Sequence, residues 1–204
     1  HNARKTDALV PLWNHADSKQ QLSPYSWVAP TNAGIAFNPD PLIGPSRLCM
    51  ACHDGVTAVD SHGSANVGAP TGSTPMNSFY TDALGATAKR YINDLTVTHP
   101  IGFLYEDAAT RRTTAEIIPS SQGFIKNAPA SGDWDTTYGS SARSTAGQTD
   151  KKIKDTLYGG FLTCASCHDV HNSVNVKPES GHSYNYFLYA KEEGSAICLS
   201  CHVK

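Results

Sequence analysis

The six cysteines of the chain fall in three pairs, Cys49/Cys52, Cys164/Cys167 and Cys198/Cys201, and each pair is followed at once by a histidine, His53, His168 and His202. With nine histidines in 204 residues, composition alone would place one after all three pairs about once in 10⁴ sequences. The pattern C-x-x-C-H is the attachment signature of c-type haem. Its spacing has a chemical reason. Two thiols three positions apart on a short helical turn can each form a thioether to one of the two haem vinyl groups, and the adjacent imidazole then reaches the iron as proximal ligand. The cysteines are therefore read as anchors and the three histidines as ligands, for three covalently bound haems c.

Two other chemistries use such pairs. The second and third pairs have 30 residues between them, within reach of a zinc ribbon, but a ribbon strands Cys49/Cys52 and leaves the trailing histidines unexplained. A disulfide framework suits an exported chain but fits poorly with repeated C-x-x-C pairs, whose redox use is usually singular.

Each proximal histidine leaves the opposite face of its iron open, and the sixth ligand separates an electron carrier from an enzyme. Six histidines remain: His1, His15, His62, His99, His171 and His182. Methionine is a poor source, because Met50 lies inside an attachment loop and Met76 reads as a gap filler. Bis-histidine ligation is the default. His171 follows His168 by three residues, so the two rings would emerge as helical neighbours. They cannot clasp one iron, and His171 either ligates a different haem or lies on the surface. His99 precedes Pro100 in an alternating stretch, Leu95 to Phe103, expected to be extended, with the proline aiming its ring. His15 has an apolar and aromatic approach, Pro11-Leu12-Trp13-Asn14, able to line a haem face. His62 and His182 sit among Gly and Ser and read as solvated loop residues.

The elements that must hold these groups are slight. Gly and Pro make up about 14% of the chain, slightly above the average of roughly 12%, scattered among many Ser, Thr and Asn. The expected fold is mostly irregular and loop-rich, with short α-helices and few short strands, organised around the haems. Helices are expected over Thr81 to Tyr91, over Lys151 to Tyr158 with Asp150 as N-cap, and over Ala190 to His202. Gly63 to Ser78 and Gly132 to Gln148 read as loops. Residues 1–60 would form an N-terminal haem module, 61–160 a connecting region with a distal histidine, and 161–204 a C-terminal dihaem module, within one haem-packed domain. Trp13, Tyr184, Tyr186, Phe187 and Tyr189 would wall the haems.

Several partners are excluded. The formal net charge is −2, with 16 Lys and Arg against 18 Asp and Glu, and no basic run exceeds two residues, so nothing invites nucleic acid or an anionic membrane. Apolar stretches such as Ala8-Leu9-Val10 fall far short of the roughly 20 residues that span a bilayer. Thioether attachment takes place outside the bacterial cytoplasm, so a periplasmic, cell-surface or extracellular location is expected. A weak repeat joins His1-Asn2, a spacer and Ser46-Arg47-Leu48-Cys49 to His171-Asn172, a spacer and Ser195-Ala196-Ile197-Cys198. It implies that the chain begins where a fourth C-x-x-C-H would just have ended, with a fourth haem on that upstream motif, as in a processed or trimmed product.

His1-Asn2-Ala3, Pro11-Leu12-Trp13-Asn14-His15, Leu48-Cys49-Met50-Ala51-Cys52-His53-Asp54-Gly55, Thr98-His99-Pro100-Ile101-Gly102 and Cys167-His168-Asp169-Val170-His171-Asn172 resemble the multihaem c-type cytochromes with paired C-x-x-C-H motifs of metal-reducing bacteria. Within that group the chain most resembles the small extracellular tetrahaem cytochromes that polymerise into filaments, or nanowires, departing from them in lacking the first motif. The resemblance implies that His1, His15, His99 and His171 are distal ligands, one of them serving a haem of a neighbouring subunit. It also implies electron transport without an enzymatic reaction, a homopolymer with haem-to-haem subunit contacts, and redox partner proteins or extracellular metal oxides as acceptors. Two other readings remain open: a monomeric periplasmic electron shuttle, and a multihaem oxyanion reductase in which Arg111 and Arg112 would sit over an open haem.

Overall fold

The computed structural model describes residues 17–27, 32–57, 75–76, 78–81, 87–112, 116–123, 125, 151–170, 186–190 and 192–203. Within them the chain is loop-rich, as expected. Three short α-helices, α1 (Pro45–His53), α2 (Tyr105–Arg112) and α3 (Ala196–Leu199), stand with one two-stranded antiparallel hairpin, β1 (Phe79–Thr81) and β2 (Thr87–Lys89), and with 3₁₀ turns at Ile153–Thr156, Cys164–Ser166 and Glu193–Ser195. Among the described residues no helix is long and apolar enough to cross a membrane.

Helix α1 starts on Pro45, whose missing N–H costs nothing in the first turn. It buries Ser46, Met50 and Ala51, positions that share one helical face. Met50 packs with Leu42 and Leu95, flanked by Leu22, Ile92 and Ile101. Asp54 ends the helix. Its carboxylate accepts the N–H groups of Val56 and Thr57 at 2.9 and 2.7 Å and the hydroxyls of Thr57 and Ser18, both at 2.6 Å. Burial works to raise the Asp54 pKa, but these hydrogen bonds outweigh it and hold the carboxyl below its ordinary value.

Helix α2 carries Glu106 and Asp107 in its first turn and Arg111 and Arg112 in its last, the order that complements the helix dipole. Its buried Tyr105, Ala108 and Ala109 enter the main core with Ile35, Phe103 and Leu162. Trp27 stacks on Phe37 at 5.1 Å, and Phe103 meets Trp27 edge-on at 5.4 Å. Gly102 is locked between two segments: Asn38 donates to its carbonyl at 2.7 Å, and its own N–H donates to Leu162 at 2.8 Å. It has φ of 81°, and a Cβ there would lie 2.6 Å from the Cα of Pro41, so glycine is required.

The expected helices need correction. In place of a helix over 81–91, Thr81 ends β1 and Thr87–Lys89 forms β2, because Phe79, Tyr80, Thr81 and Thr87 favour extended backbone; residues 82–86 lie outside the described residues. In place of a helix over 151–158 stands the single 3₁₀ turn Ile153–Thr156, entered from Lys152, whose N–H donates to Asp155 at 3.0 Å; Asp150 lies outside the described residues. The helix expected over 190–202 is interrupted, because Gly194 and Ser195 take φ of 61° and 58°, and α3 spans four residues. The stretch 95–99 is a turn with bends, not extended. Asp94 accepts the N–H of Thr96 at 2.8 Å, and this local bond outcompetes a ladder.

Candidate haem sites

The first site grows out of α1. Cys49 and Cys52 are three apart and face the same way, and His53 closes the helix. The Nδ1 atom of His53 lies 2.9 Å from the carbonyl oxygen of Arg90, and the N–H of Ile92 donates to the His53 carbonyl at 2.6 Å. A carbonyl only accepts, so Nδ1 carries the proton and Nε2 keeps its lone pair for a metal. The ring itself is exposed.

The second site uses a 3₁₀ turn. Ser166 Oγ accepts the Thr163 N–H at 3.0 Å, and the N–H of His168 donates to Cys164 at 3.0 Å. A strap, residues 186–190, closes over the turn: Asp169 donates to Phe187 at 2.7 Å and Tyr189 to Cys167 at 3.0 Å. The Nδ1 atom of His168 lies 2.7 Å from the Tyr186 carbonyl, which fixes the tautomer as at the first site. Tyr186 and Phe187 adopt φ of 54° and 57°, a left-handed conformation that costs roughly 1–2 kcal/mol per residue.

The third site is built by α3 and the residues after it. His202 donates its N–H to Cys198 at 2.9 Å, and Ile118 donates to the Cys201 carbonyl at 2.9 Å. The ring of His99 lies beside that of His202, with centroids 6.4 Å apart and planes at 75°. A ring nitrogen sits about 2.0 Å from a bound transition metal, so two imidazoles on opposite sides of one iron hold their centroids roughly 6.3 Å apart. His99 Nδ1 lies 3.1 Å from the Pro100 carbonyl, again leaving Nε2 for a metal.

The cysteines sit in contrasting environments. The thiols of Cys49 and Cys164 hydrogen-bond one another; that contact, then burial, holds Cys49 well above the ordinary thiol range. The same bond, with help from Ser46, brings Cys164 down to about 7 against the pull of burial. Burial first, then the neighbouring Cys201, Cys164 and Cys198, pushes Cys167 up to about 12. No disulfide joins the six cysteines, and among the described residues no three His, Cys, Asp or Glu side chains gather as a cage for a bare ion, which a zinc ribbon would need. Apolar side chains stand exposed beside each motif: Leu48 and Val56 at the first, Val170 and Phe187 at the second, Val203 at the third, and Val97 near His99. Anchoring thiols, an adjacent imidazole, with Nδ1 held by a carbonyl at His53 and His168, and uncovered apolar surface together fit haem c at these positions.

The structure thus brings His99 to His202 and leaves His53 and His168 exposed with their rings tethered. His1, His15 and His171 lie outside the described residues, as do His62, His182, Trp13 and Tyr184. Tyr186 and Phe187 stand at the second site as aromatic neighbours of His168, whereas Tyr189 is a core residue packed with Ala190 and Ala196. Arg112 is engaged by Glu116 at 2.6 Å and by Asn32 at 3.1 Å. Sequence reasoning missed the carbonyls of Arg90 and Tyr186, since any residue type can supply a carbonyl. It also missed Tyr105, which hydrogen-bonds the Cys201 thiol.

A loop-rich fold with three such anchor-and-ligand turns has the construction of a multihaem c-type cytochrome. Residues 159–204, the stretch with the second and third motifs, match the family described as Doubled CXXCH motif, which supports that class and implies covalently bound c-type haem. No curated protein and no solved structure matches the chain.

Proposed function

We propose that the protein moves electrons over long distances outside the cell, as a repeating subunit of a cytochrome filament whose haems are bis-histidine ligated. The neighbouring rings of His99 and His202, with centroids 6.4 Å apart, carry the reading: an iron held between these two imidazoles would have no open position for a substrate and would serve electron transfer rather than catalysis. Haem c supplies a one-electron couple, one Fe(II) becoming Fe(III) as its neighbour's Fe(III) becomes Fe(II), with no atom transferred. The chain's part is to fix anchors, hold the ligand tautomers and surround the groups with apolar walls, so that little reorganisation accompanies each transfer.

The location follows from where thioethers are made, and the filament from the resemblance to polymerising cytochromes. Adjacent subunits would meet haem to haem, with one distal histidine donated across the contact. Redox proteins or extracellular metal oxides would take the electrons.

Intact mass of the denatured protein tests the cofactor: the 21.8 kDa polypeptide should carry three haems on its three motifs. Electron microscopy of the secreted material tests the assembly. Filaments with a subunit repeat are expected; dispersed single subunits would overturn the filament and leave a monomeric shuttle.

A further inference from the structure

The second attachment turn and the residues beside it make contact with both of the other sites. Cys164 at the start of the second turn donates its N–H to Ser46 of α1 at 3.1 Å, and the Cys164 and Cys49 thiols hydrogen-bond each other. The first and second anchors therefore touch through their leading cysteines. The second turn also meets the third site, by two routes. Tyr189, whose N–H donates to Cys167 at 3.0 Å, packs with Ala196 at the start of α3, and Leu162, two residues before Cys164, shares the main core with Cys201. Cys167 lies within electrostatic reach of both Cys201 and Cys198.

We infer that the turn Cys164–His168 is the central anchor of the three, holding its haem between the one on Cys49/Cys52 and the one on Cys198/Cys201. The inference rests on the reading of all three motifs as haem c sites. Spatial order then follows chain order across a long gap in sequence: 111 residues separate Cys52 from Cys164, yet their sites adjoin, and an electron entering at the first site reaches the third by way of the second. His99 supports the arrangement without altering it. Its segment docks on the first site through Leu95 and Ile101 and supplies the third with a ring opposite His202, tying the outer sites to one scaffold.

Proton NMR of the fully reduced, diamagnetic holoprotein tests this without any substitution. Cross-peaks between thioether protons at Cys49/Cys52 and Cys164/Cys167, and between Cys164/Cys167 and Cys198/Cys201, are expected. Stepwise oxidation should show the midpoint of the second haem shifted by the charge state of both others. Cross-peaks from the first group directly to the third, with none from the second to one of them, would overturn the inference while leaving the electron-transfer reading intact. A protein whose mass shows no haem would overturn both.

Discussion

The first and second attachment sites carry the same five-residue pattern on different supports. At the first, nine residues of α-helix present Cys49, Cys52 and His53, and the buried Asp54 seals the end with four hydrogen bonds. At the second, a three-residue 3₁₀ turn does the same work, held by Ser166 and by a strap that passes through left-handed backbone at Tyr186 and Phe187. Common to both is a backbone carbonyl against Nδ1 of the ligand histidine, from Arg90 in one case and Tyr186 in the other. The motif therefore dictates chemistry and the spacing of three side chains, while the means of rigidity are local. What must be conserved physically is the tautomer and aim of the ring.

Substitutions can break each side of this comparison separately. Tyr186→Pro has the largest expected effect. Proline holds φ near −65° and cannot take the left-handed turn, so the strap loses its bonds to Cys167, His168 and Asp169. Denaturant unfolding of the holoprotein should show a loss of about 3 kcal/mol, and the haem on His168 should change its spectrum while that on His53 does not. Asp54→Ala should cost about 2 kcal/mol by orphaning the buried Ser18 hydroxyl and the part-buried donors of Val56 and Thr57, with the spectral change confined to the first site. Ser166→Ala, which removes one buried acceptor from the second, should cost about 1 kcal/mol. Equal disturbance of both sites by any of these would remove the distinction.

The smallest effect is electrostatic. Asp40 is half-exposed and paired with Arg47 of α1 at 2.5 Å. Burial acts to raise its pKa, but the Arg47 hydrogen bond and the Leu42 N–H overcome it and leave the carboxyl below its ordinary value of 3.8. The folded pKa being the lower one, the stabilisation is complete above about pH 4 and disappears as pH falls through the folded value. Acid titration of the holoprotein followed by absorbance should show Asp40→Asn losing a few tenths of a kcal/mol at neutral pH and matching the parent once pH has fallen through the lowered Asp40 pKa.

The attachment chemistry was legible in the sequence because covalent haem fixes both residue type and spacing, and the loop-rich character followed from Gly, Pro and Ser scattered without period. Other features depend on competition between local and distant contacts. The helix expected over 81–91 gave way to strand pairing, in which Tyr80 and Thr81 of β1 sit against Ala88 and Thr87 of β2. Helix α2 did have a signal, acids first and arginines last, that was read only as a cationic pair. The strap was hidden because Tyr186 and Phe187 carry no glycine or asparagine to announce positive φ. The meeting of His99 with His202 joins segments more than a hundred residues apart, and only packing of Leu95, Ile101 and Gly102 brings the ring there.

That meeting is the point on which the account turns, and electron paramagnetic resonance of the oxidised holoprotein with and without His99→Ala tests it most directly. The account predicts a low-spin parent signal for the haem on Cys198/Cys201, with one haem per chain becoming high-spin in the variant and the other two unchanged. A variant spectrum identical to the parent's would contradict the pairing of His99 with His202 and the bis-histidine electron carrier built on it.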